Sequence, residues 1–68
     1  MKWLANSESL KPRYYEIEYD QYFGFYLYVF EGGRCTYDHL QDTLEIAMES
    51  ALEDYGVPIT AWKKVEES

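Results

Sequence analysis

Between Tyr14 and Asp20 the chain alternates, with Tyr15, Ile17 and Tyr19 on one side and Tyr14, Glu16, Glu18 and Asp20 on the other. A period of two marks a half-buried strand, because successive strand side chains point to opposite faces. Phe25 to Glu31 is rich in aromatic and β-branched residues and reads as a second strand, joined to the first by a loop that ends at Gly24. Gly32-Gly33 predicts a two-residue hairpin, since a type I′ turn needs positive φ at both central positions. Arg34 to Leu40 is then the returning strand. In the register set by that turn, Glu31 faces Arg34 and Phe30 faces Cys35. Tyr28 then faces Tyr37 and Tyr26 faces His39 on one side of the sheet. Val29–Thr36, Leu27–Asp38 and Phe25–Leu40 form the pairs of the other side.

The pattern then changes period. Leu44, Ala47, Met48, Ala51, Leu52 and Tyr55 recur at helical spacing and predict an amphipathic helix with one apolar stripe against the sheet. Asp42-Thr43-Leu44-Glu45 matches a capping box with Asp42 as N-cap, Gly56 suits the position after the last turn, and Pro58 stops the helix. Ile59 to Val65 reads as a last short strand anchored by Trp62. Residues 1–13 show no clear period, and Pro12 with Asn6-Ser7-Glu8-Ser9 suggests an irregular N-terminal arm. The expected fold is α+β: a three-stranded antiparallel meander, one helix and a fourth short strand (β-β-β-α-β) over residues 14–65, followed by a charged tail at 66–68.

Size and charge narrow the partners. A chain of 68 residues is one domain at most, and at this size only ~60% of the unfolded surface is buried. An aromatic fraction of 19%, with eight tyrosines, argues for a packed core. The formal net charge is −7, and no Lys or Arg lies between Cys35 and Trp62. Nucleic acid and anionic membranes both need clustered bases, so neither is expected as a partner; a basic protein is. A single cysteine excludes an intrachain disulfide and fits a reducing compartment. The apolar run at the N-terminus is too short for a signal peptide, and no stretch approaches the ~20 apolar residues of a membrane span. A cytoplasmic location is expected.

Chemistry-bearing residues are few. His39, beside Asp38 and three residues before Asp42, is the only histidine, but Asp38 and His39 point to opposite sides of a strand and Asp42 serves better as a cap. Cys35 shares a strand face with His39 at roughly 13 Å, too far for proton transfer. Gly32-Gly33 lacks the Lys-Ser/Thr and following helix of a phosphate loop. No catalytic centre, metal site or cofactor is expected.

Two surfaces stand out instead. Tyr14, Tyr26, Tyr28, Phe30 and Tyr37 would share the sheet face away from the helix, interleaved with Glu16 and Glu18; a single helix cannot cover both faces of a sheet. Such a face suits a protein partner or a second copy of the chain, although half-exposed tyrosine is also tolerated through its hydroxyl, and an arm folding Trp3 and Leu4 over the face would cover it equally well. Glu45, Glu49 and Glu53 repeat at four-residue spacing with no base between them, and Ile46 lies beside this ridge. Like charges at that spacing cost a few tenths of a kcal/mol per pair, so the ridge suits a basic partner, though most charge runs are simply solvated. The candidate partner-binding residues are therefore Glu45, Ile46, Glu49, Glu53, Tyr26, Tyr28 and Tyr37.

Gly24-Phe25-Tyr26 opening a strand, and Asp42-Thr43-Leu44-Glu45 followed by Ala47 opening a helix, resemble the HicB-like antitoxin family over residues 24–55; the strand at 14–20 fits the same order. The family's Pro-Asp-Leu-Pro-Gly segment is replaced by Glu31-Gly32-Gly33-Arg34. The resemblance implies a β-β-β-α-β fold that neutralises a partner.

Overall fold

A computed structural model describes residues 1–7 and 13–65. Five antiparallel strands form one sheet in the order β4-β3-β2-β1-β5, with one helix against it. The elements are β1 (Lys2–Ser7), β2 (Arg13–Asp20), β3 (Gly24–Glu31), β4 (Arg34–Gln41), α1 (Leu44–Tyr55), a 3₁₀ turn (Ile59–Ala61) and β5 (Lys63–Val65). The chain leaves the β4 edge, crosses one face as α1, and returns at the opposite edge as β5 beside β1.

The N-terminus is the first correction. Residues 2–7, expected in an irregular arm, form an interior strand between β2 and β5. Trp3 pairs with Ile17 and Ala5 with Tyr15, so both face the helix: Ala5 is buried and Trp3 packs against the core. The sheet therefore has five strands rather than three or four. The rest of the expected arm, with Pro12, and the tail at 66–68 lie outside the described residues.

The hairpin turns at Gly32 and Gly33, with φ of 58° and 80°, as a type I′ turn requires. Phe30–Cys35 and Glu31–Arg34 keep the expected register, but Val29 pairs with Tyr37, Tyr28 with Asp38, Leu27 with His39 and Tyr26 with Leu40. Thr36 is the extra residue of a β-bulge, and its hydroxyl donates to the Val29 carbonyl at 3.2 Å. A one-residue slip reverses the faces of every residue beyond it. Tyr37 and His39 thus turn toward the helix, and Asp38 and Leu40 turn away from it. The Glu31 carboxylate is held at 2.9 Å by Arg13, its partner on β2, and not by Arg34.

Helix α1 begins one residue later than the capping box implied. Thr43 is the N-cap, its hydroxyl accepting from Ile46 N at 3.1 Å. Gly56, at φ 72°, closes the helix in a left-handed cap with its N–H on the Leu52 carbonyl. The core joins Tyr15, Ile17, Leu27 and Val29 of the sheet to Ala47 and Ala51 of the helix, with Val57 and Trp62 closing the side. Leu44, Met48 and Tyr55 pack against this cluster, whereas Leu52, expected in the core stripe, is 45% exposed. At 3.6 residues per turn Leu52 lies roughly 80° round from Leu44, and the two alanines centre the contact on the other side.

Candidate functional site

The outward face of the sheet is the most distinctive surface. Alternation and pairing place Tyr14, Glu16 and Glu18 of β2, Tyr26, Tyr28 and Phe30 of β3, and Asp38 and Leu40 of β4 on the side away from α1. Four of these rings form a continuous ladder: Tyr14 stacks on Phe30 with centroids 4.6 Å apart, Phe30 lies 6.4 Å from Tyr28, and Tyr28 stacks on Tyr26 at 5.9 Å. No described helix or strand lies over it; α1 contacts β3 and β4 from the other side. The rings shield one another, which leaves Tyr26, Tyr28 and Phe30 only half-buried.

Carboxylates border the ladder. Glu16 stands directly across from Tyr28 on β2, Asp38 across from Tyr28 on β4, and Glu18 across from Tyr26. Burial among the rings raises the Tyr28 pKa above the ordinary tyrosine value, and the negative charges of Glu18, Asp38 and Glu16 add to the shift. Bases stand at the opposite side of the face: Lys2 of β1 holds Glu16 at 3.3 Å, and Lys63 of β5 lies across from Leu4. The face is thus acidic and aromatic toward β4 and more basic toward β5. At the sheet end near Tyr26 and Leu40, the loop residues Tyr22 and Phe23 are exposed, their N–H groups held by Asp20 Oδ1 at 2.8 and 3.1 Å.

The expected binding residues separate into two groups on opposite sides of the molecule. Glu45, Ile46, Glu49 and Glu53 are exposed on α1, as a solvent-facing ridge requires. Tyr26 and Tyr28 belong to the ladder. Tyr37 does not: the bulge carries it to the helix side, where it is 54% exposed and 6.3 Å from the Tyr55 ring. His39 follows it, with Nε2 3.0 Å from the Tyr55 hydroxyl, and Gln41 donates to Ser50 at 3.2 Å. The inward side of β4 thereby becomes a polar seam with α1. The Tyr55 pKa is raised, first by burial and then by Asp54. Sequence pattern alone missed Asp38 and Leu40 as members of the outward face, because only the bulge puts them there.

Cys35 is exposed, and its thiol lies 3.5 Å from the Tyr37 carbonyl; the bulge sets it on the opposite face from His39. Among the described residues no group of three or more His, Cys, Asp or Glu is placed to hold a metal ion. No helix among them is long and apolar enough to cross a membrane. Compared with family models, curated proteins and solved structures, the chain gives no significant match.

Proposed function

We propose that the protein is a small acidic interaction module of the antitoxin or immunity type, which binds a basic protein partner and performs no chemistry of its own. The observation that carries this reading is the aromatic ladder left open on the sheet and bordered by Glu16, Glu18 and Asp38. Contiguous exposed aromatic surface on a small domain usually marks a contact site, and carboxylates at its border select a basic counterpart. The net charge of −7 and the Glu45–Glu49–Glu53 ridge favour the same partner through long-range attraction. The resemblance of residues 14–55 to HicB-like antitoxins supports neutralisation as the purpose of binding.

Co-purification from native lysate, followed by mapping, tests the reading. A captured basic protein should be released by raised salt and lost with Tyr28→Ser, while Glu45→Gln/Glu49→Gln/Glu53→Gln should weaken capture without abolishing it. Capture insensitive to all four changes and to salt would refute it.

The ladder also suits a second copy of the chain, since Leu40 lies beside Tyr26 and extends its apolar surface. Salt separates the two readings. Added salt screens repulsion between two acidic chains and strengthens a homodimer, but weakens a basic complex. A monomer in sedimentation at high concentration in both low and high salt would dispose of the homodimer.

A further inference from the structure

The ladder shows what kind of positive group it would hold. We infer that the partner places an arginine guanidinium against Tyr26 and Tyr28, between Glu18 and Asp38; this rests on the interaction-module reading above. Tyr26 and Tyr28 stack nearly parallel on β3, with planes 14° and centroids 5.9 Å apart, an aromatic platform whose π-electrons attract a cation. Glu18 flanks the platform from β2, and Asp38 from β4. Neighbouring strands are ~4.8 Å apart, so the two carboxylates stand on either side of a cation seated on the central strand.

That geometry discriminates between cations. A guanidinium is planar, stacks on aromatic faces, and carries N–H donors along opposite edges of its plane, so it can lie on the rings and reach both carboxylates. An ammonium is a compact and strongly hydrated charge that gives up more hydration on an aromatic surface and reaches one carboxylate well. Lys2 on β1 holds Glu16 at 3.3 Å at the other side of this face. Neither Glu18 nor Asp38 takes part in a salt bridge among the described residues.

The test uses the full chain, isotope-labelled for NMR, titrated with hexa-arginine and hexa-lysine peptides at matched low ionic strength. Hexa-arginine should bind about three- to tenfold more tightly than hexa-lysine, the range expected from cation–π stacking on a partly desolvated ring. It should shift the amides around Tyr26, Tyr28 and Asp38. Asp38→Asn, at an exposed position, should bring hexa-arginine down to the hexa-lysine affinity, and Tyr28→Leu should do the same where its amide spectrum stays native. Glu49→Gln on the helix should weaken both peptides alike and leave their ratio unchanged. Equal affinities on the ladder face would overturn the guanidinium assignment and leave the basic-partner reading standing. Shifts confined to the Glu45–Glu53 ridge, or no binding by either peptide, would overturn both.

Discussion

Leucines 27 and 40 carry the same side chain on opposite faces of the sheet, and truncating each to alanine measures how differently those faces are covered. Leu27 is fully buried between Ile17 and His39 in the cross-strand row, under the helix; Leu40 is 49% exposed beside Tyr26 on the open face. Leu→Ala removes three carbons, worth ~2.4 kcal/mol at about 0.8 kcal/mol per buried CH₂. At Leu27 a cavity is added, because Ala47 and Ala51 hold the helix against the sheet, so the total should fall within ~3–5 kcal/mol. At Leu40 about half of the transfer is already forgone and solvent fills the gap, so the cost should be about 1 kcal/mol or less. A domain of this size has a total stability of ~3–10 kcal/mol, so Leu27→Ala should leave the chain partly unfolded in buffer while Leu40→Ala folds. Urea denaturation followed by circular dichroism, at several protein concentrations, gives both values. Equal losses at the two positions would refute the one-sided core. A Leu40→Ala loss that grows with protein concentration would show instead that a second copy covers the ladder.

Gly24, at φ 120°, should tolerate no side chain: a Cβ there would meet the Gln41 carbonyl oxygen at 2.6 Å, so Gly24→Ala should lower the urea midpoint more than Gly56→Ala. At Gly56 nothing stands within 4 Å, and only left-handed strain of ~1–2 kcal/mol applies. Thr43→Ala should cost ~1 kcal/mol and Asp42→Ala clearly less, because the Thr43 hydroxyl holds the Ile46 N–H; the reverse order in denaturation would return the cap to Asp42. Tyr28 and Tyr55 both titrate above the ordinary tyrosine pKa in the folded chain. The unfolded chain then loses its protons first, so the stability these residues contribute is present below pH ~10 and is lost as pH rises past that value. Ultraviolet titration should show two late-ionising phenols that disappear in Tyr28→Phe and Tyr55→Phe.

Much of this architecture is legible from period alone. Tyr15 and Ile17 alternate cleanly with charged neighbours and are both buried, and the Gly32-Gly33 turn and the Gly56 stop each depend on a local φ that glycine supplies. The first strand escaped because its alternation is short and impure. Trp3 and Ala5 point inward as a strand requires, but Leu4 points outward among Lys2 and Asn6 and blurs the pattern. Leu52 escaped for a different reason. Helical spacing ranks it with Leu44 and Met48, but small alanines at the centre of the contact decide how far round the helix burial extends.

The bulge at Thr36 is the deeper lesson, because it decides the candidate surface. Nothing in Arg34–Gln41 fixes its own register: the strand is an edge with mostly exposed residues, and its apolar and polar positions do not alternate strictly. With no buried face to enforce pairing, an edge strand can take an extra residue at little cost, and here the Thr36 hydroxyl replaces part of the lost ladder by bonding to Val29. The slip exchanges Tyr37 and His39 for Asp38 and Leu40 on the open side. An aromatic face thereby acquires a carboxylate at its outer border, and Tyr55 acquires an imidazole partner under the helix. One inserted residue therefore adds a third carboxylate to the open face, beside Glu16 and Glu18.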